Sequence, residues 1–238
     1  MIPPLSTVDW PRTDRLVMSH YPPINLYDDV ADPRDWEALA AAQAHTNPRI
    51  HEEIGDLSLV PPERRLSGDG ASWVMAAFTH ISPDRTSRFS AGAYGVFYAA
   101  DSLETALYEH SFHMGRFYAR TAEPPGLVSE VRQLIGSVNA DLLDLQRPGF
   151  EHLLDPEDYG LSQALADARR AEGSDGIVYP SVRDPGGACI AAFWPNVVTP
   201  PLQGDHLRYH WDGTQVTLAA KTTGDRATFV PSVRPRTS

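Results

Sequence analysis

Apolar residues in this chain of 238 come in short runs broken by glycine, proline and aspartate. That rhythm predicts short strands alternating with helices, with no internal repeat and no coiled-coil heptad. GVFYAA (95–100), GIVYPS (176–181) and CIAAFWP (189–195) are apolar runs of strand length, and SWVMAAF (72–78) reads the same way, as a buried strand entering the core. LVSEVRQLI (127–135) and ADLLDL (140–145) predict two further strands, and Asp212-Gly213 inside LRYHWDGTQVTLAA predicts a hairpin turn.

Helix signals sit between these runs. Asp32-Pro33 reads as an N-cap and first helical residue opening DWEALAAAQAHT, and Asn47-Pro48 repeats the device before RIHEEI, which Gly55 would end. Ser102 caps LETALYEHSFHMGRF, on which Leu103, Leu107, His110, Met114 and Phe117 recur at helical spacing and should face the sheet. Glu109 falls on that helix's flank, where it can border a cleft. LSQALADARRAEG is a helix closed by Gly173. Strands and helices mixed in this order give an α+β fold.

Composition narrows the function. The net charge of −11 excludes nonspecific nucleic-acid binding, which needs a basic surface. Any anionic ligand must instead meet local arginines, and every basic residue except Lys221 is arginine. No apolar run has the length of a membrane span, MIPPLSTVDW lacks a signal-peptide core, and the single Cys189 lies in an apolar run as a small buried residue. The expectation is a cytoplasmic protein. HExxH, GxGxxG and GxxxxGK[ST] are absent, so neither a zinc site nor Rossmann-type dinucleotide binding is expected. Glu109 and His113 lie four apart on one helical face, which alone is no metal site.

Three blocks, RLVMSHYPPINLYDDV (15–30), RFSAGAYGVFYAADSLETALYEHSFH (88–113) and GIVYPSVRDPGGACIAAFWP (176–195), resemble in order the signature blocks of the RES-domain family. The resemblance covers about residues 14 to 213. It implies an ADP-ribosyltransferase-like mixed β-sheet core with surrounding helices, as one domain over 1–238 with an N-terminal helical elaboration near 30–60 and a frayed tail near 230–238. It further implies a toxin that cleaves NAD⁺ at the nicotinamide–ribose bond and is neutralised by an Xre-type antitoxin, with self-association inside a hetero-complex. NAD⁺ is then substrate, and no cofactor is expected.

Carried over by position, the resemblance makes Glu109, Arg15 and Tyr98 the catalytic residues and Arg88 and Ser181 the substrate-binding ones. The chemistry is apt: a guanidinium presents paired donors to a pyrophosphate, and a carboxylate stabilises positive charge on a sugar carbon. Tyr98 would place its ring near the cationic nicotinamide. Asp175, Tyr179 and Arg183 border the same blocks without being separable from scaffold. Transfer of ADP-ribose to a protein or to phosphate is the enzymatic alternative, and a noncatalytic nucleotide- or antitoxin-binding module the alternative from another class.

Overall fold

The computed structural model describes residues 2–19, 32, 34–44, 55–223 and 226–230. Its centre is one mixed sheet of β1 (Leu5–Met18), β2 (Phe97–Ala100), β3 (Val128–Asp144), β4 (Gly176–Pro180), β5 (Ala188–Ala192), β6 (Leu202–Trp211), β7 (Val216–Thr223) and β8 (Arg226–Val230). The order is β1-β2-β5-β4-β3-β6-β7-β8, and β1 pairs additionally with β3. Five strands thus close into a ring, from which β6, β7 and β8 extend. The helices α1 (Trp36–Ala44), α2 (Ala71–Thr79), α3 (Leu103–Arg120) and α4 (Gly160–Ala171) surround it. The expected α+β architecture is what the chain adopts, and no helix among the described residues is long and apolar enough to cross a membrane.

Side chains alternate across a strand, and the two faces bury separate clusters. Ile177, Tyr179, Cys189 and Ala191 face one cluster with Leu107, Phe193, Tyr209 and Trp211. Val178, Ile190 and Ala192 face the other with Trp36, Leu57, Val74, Phe78 and Phe97. Being covered on both sides is why β4 and β5 read as unbroken apolar runs. Trp36 and Ala40 of α1, Leu57 and Val60 after it, and Val74, Met75 and Phe78 of α2 all belong to the second core.

Several expectations need correction. SWVMAAF lies in a helix, not a strand: Ala71, Val74, Met75, Phe78 and Thr79 are its buried residues, spaced at helical intervals that a dense apolar run conceals. LVSEVRQLI and ADLLDL belong to one continuous strand, β3. β1 has no counterpart in the sequence reading, because Pro11 and its charged neighbours mimic a turn. The ladder with β3 breaks register between Trp10 and Thr13, and that irregularity accommodates the proline. The buried stripe of α3 is also rotated, to Thr105, Leu107, Ser111, Gly115 and Tyr118, while Phe117 is 53% exposed. On that face Gly115 packs against Trp211, where a Cβ would meet the ring at an ordinary contact distance of 3.6 Å.

Other expectations hold. The Ser102 hydroxyl accepts the Thr105 N–H to cap α3. Gly173, at φ 89°, follows α4 in the left-handed region with its N–H on the Arg170 carbonyl. Asp212-Gly213 turns β6 into β7, with the Asp212 N–H on the Gln215 carbonyl. The Asn47-Pro48 helix, the second half of the first signature block and the tail beyond 230 lie outside the described residues.

Candidate active site

The start of α3 and the turn 181–187 between β4 and β5 are locked together. Ser181 Oγ donates to Glu109 Oε1 at 2.6 Å, and the Val182 N–H reaches the same oxygen at 3.1 Å. Ser181 Oγ in turn accepts the N–H groups of Arg183 at 3.2 Å and Asp184 at 2.9 Å. Its own N–H goes to the Gly187 carbonyl. One carboxylate oxygen of Glu109 is therefore fixed by two donors, one side chain and one main chain. Among the described residues Oε2 has no hydrogen-bond partner.

Behind this pair, Thr105 Oγ1 donates to Asp184 Oδ2 at 2.8 Å, with both residues buried. Thr105 has one hydroxyl proton and spends it there, so the Ser102 hydroxyl, 2.9 Å away, must be the donor to Thr105 Oγ1. A Cβ on Gly187 would strike Thr105, which is why the turn carries glycine there. Thr105 and Asp184 escape a sequence reading because DPGG signals a turn without saying where the turn docks.

Tyr98 and Arg88 form a second unit. The Tyr98 hydroxyl donates to Ser87 Oγ at 2.9 Å and accepts the Phe89 N–H at 3.1 Å. Burial pushes the phenol up to about 12 against those hydrogen bonds, so it stays neutral. Its hydroxyl is committed to the turn that carries Arg88, which makes Tyr98 a positioning residue for that arginine besides any ring contact. Arg88 donates from Nη1 to the Asp155 carbonyl at 2.8 Å and rests over Tyr159 at 4.6 Å from the ring centroid. The Ser162 hydroxyl holds the Arg88 carbonyl at 2.7 Å. The charges of Glu109 and Arg88 both act on the buried Tyr179 hydroxyl, whose acidity burial suppresses. The two units thus border one region.

Arg15 stands apart from them. β1 pairs with β2 at Asp14 and Ala100. Arg15, the next residue, donates from Nη1 to the Tyr98 carbonyl at 2.8 Å and lies over Phe97, 4.5 Å from its centroid. Its buried Nε has no hydrogen-bond partner among the described residues. Burial lowers its pKa to about 10, leaving it a cation at neutral pH. Arg15 therefore meets the main chain of Tyr98 and a ring of the opposite core, not the Tyr98 ring. Behind it, burial drives His110 down to about 3, with Arg15 and His113 adding to the effect, so His110 is a neutral imidazole sharing a 3.1 Å hydrogen bond with Tyr209. Cys189 is buried as expected, and its thiol is pushed well above its ordinary value by burial.

The family model described as "RES domain" matches residues 62–212, which include Arg88, Tyr98, Glu109 and Ser181. The chain belongs to the RES domain family. β1 and Arg15 lie upstream of the match. A relative of this RES protein, an uncharacterized protein named y4oC from Sinorhizobium fredii (strain NBRC 101917 / NGR234), is 28% identical over 211 residues, covering 86% of this chain and 84% of the other. A solved structure with some likeness, from the M. tuberculosis MbcT-MbcA toxin-antitoxin complex, shares 13% identity at a TM-score of 0.40, covering 93% of this chain and 86% of that one.

Proposed function

We propose that this RES protein splits NAD⁺ at the nicotinamide–ribose bond and acts as the toxin of a toxin–antitoxin pair, with an Xre-type protein as its antitoxin. The observation that carries the catalytic half is Glu109, whose Oε1 is pinned by Ser181 and Val182 while Oε2 has no donor among the described residues. A carboxylate fixed through one oxygen offers the other to a ribose hydroxyl without reorganising. As the glycosidic bond breaks, its charge opposes the positive charge growing on the anomeric carbon. Nicotinamide leaves with the bonding electron pair, and water is the default acceptor of the ADP-ribosyl group.

Arg88 is the residue for the pyrophosphate, and Arg15, a buried cation with an unused donor, is the second candidate. Ser181 orients Glu109 rather than attacking, since its proton already points at the carboxylate. An ADP-ribosyltransferase-like fold and assembly as an oligomer within a hetero-complex belong to this reading through the family resemblance, and a single domain and a cytoplasmic location through the length and composition of the sequence. Transfer to a protein side chain or to phosphate uses the same first step and differs only in the acceptor.

The test is to incubate purified protein with NAD⁺ and follow free nicotinamide, and in parallel to induce the chain in cells. Nicotinamide release, a fall in cellular NAD⁺, and growth arrest relieved by a co-expressed Xre-type protein are the expected results. Soluble protein that leaves NAD⁺ intact in both settings rejects the enzymatic reading in favour of a binding module.

A further inference from the structure

We propose that Arg183 joins Arg88 in a two-arginine clamp for the diphosphate of a nucleotide, built on the segment 155–159 opposite α3. The assignment of the diphosphate to the substrate NAD⁺ rests on the function proposed above; the clamp itself does not.

Arg183 donates from Nη2 to the Pro156 carbonyl at 2.8 Å, next to the Asp155 carbonyl that Arg88 uses at the same distance. The two guanidinium groups are thus anchored on the carbonyls of adjacent residues. Each also lies over a ring, Arg183 at 3.5 Å from the Phe112 centroid and Arg88 at 4.6 Å from that of Tyr159. A guanidinium packed on a ring by one face and bonded through one nitrogen keeps the rest of its donor fork for a ligand.

The charge balance indicates which ligand. Neither arginine makes an ion pair among the described residues, and the carbonyls that hold them are neutral. The Asp155 carboxylate accepts the N–H groups of Glu157 and Asp158 through Oδ1, both at 2.8 Å, and feels the Arg88 charge without forming an ion pair with it. Arg116, the third arginine of this cleft, differs in being paired with Glu157 at 3.1 Å. Two cations without ion-pair partners in one cleft repel each other, and in a chain of net charge −11 carboxylates to pair them are plentiful. Leaving both unpaired makes sense if an anion with two charged centres completes the set.

The position fits the substrate. Phe112 follows Glu109 by almost one helical turn, about 4.5 Å along the axis, and Arg183 follows Ser181 by two residues. A sugar held by Glu109 would therefore direct its phosphates toward Arg183 and Arg88. His113 senses the arrangement: loss of hydration lowers its pKa, Glu109 opposes this, and Arg183, Arg116 and Arg88 reinforce it.

The experiment is calorimetric titration of the full chain with ADP, with adenosine as the phosphate-free control. The wild type is expected to bind ADP more tightly than adenosine. Arg183→Ala should lose at least tenfold in ADP affinity while adenosine binding and melting temperature stay unchanged, and Arg183→Lys should recover only part, because a point charge lacks the planar fork. Arg116→Ala, which removes an arginine already paired, should stay within about twofold of wild type. Equal wild-type affinities for ADP and adenosine, or wild-type ADP affinity in Arg183→Ala, would overturn the clamp. Retained ADP discrimination in a protein that releases no nicotinamide would uphold the clamp and reject NAD⁺ cleavage instead.

Discussion

Glu109 and its neighbour His110 show how a single step along a helix separates two roles. Glu109→Gln keeps the size and some hydrogen bonding but removes the charge that counts when the ribose carbon becomes cationic. Terms of this kind are worth on the order of 3 kcal/mol, so nicotinamide release should fall at least about a hundredfold. The melting temperature should stay near wild type, and a Gln variant cleaving at the original rate would show Glu109 to be a bystander. His110 matters to stability instead. Its folded value of about 3 lies below the ordinary 6.5, so between those pH values the unfolded chain takes up a proton that the fold refuses. Stability is then full above about pH 6.5 and declines on acidification, by about 2 kcal/mol at pH 5. His110→Gln should flatten that acid limb in denaturant titrations between pH 7 and 5; an unchanged limb would assign it to other groups.

At the scale of elements, the turn 181–187 works only because it is docked onto the N-terminal turn of α3. Thr105→Val is nearly isosteric and leaves a buried oxygen of Asp184 without its donor, at a cost of about 1–3 kcal/mol. Calorimetry should record a melting point lower by several degrees, and nicotinamide release should drop as Ser181 and Glu109 lose their alignment. Thr105→Ser should restore both; a Val variant equal to wild type in both would mean that the turn holds itself. Legibility in the sequence follows a similar division. β4 and β5 were readable because burial on both faces leaves only apolar residues, and the ends of α3 and α4 because Ser102 and Gly173 act locally. β1 was hidden by Pro11 at its register break, and α2 by a run too apolar to reveal its period. The Glu109–Ser181 pair came from block resemblance, since nothing local joins residues 72 positions apart. Arg183 could not be told from scaffold because a guanidinium is defined by its partners, here the carbonyl of a distant loop.

For the whole molecule, the ring of five strands has a weak point in its order of assembly. β1 closes it, laid along β3 from Leu5 opposite Leu143 to Met18 opposite Val131, yet it precedes everything that the family match covers. A protein lacking only residues 1–19 would carry Arg88, Tyr98, Glu109, Ser181 and Arg183 but would bare a long flank of β3, with its main-chain donors and acceptors unsatisfied. Exposed edges of this kind invite pairing between chains. The trimmed protein should therefore self-associate in sedimentation experiments, and a separate peptide of residues 2–19 should suppress this by docking as the missing stave; a monodisperse trimmed protein would refute it. Residues 5–18 act, in effect, as a built-in clasp, so the leading stretch of the polypeptide controls whether the barrel can shut.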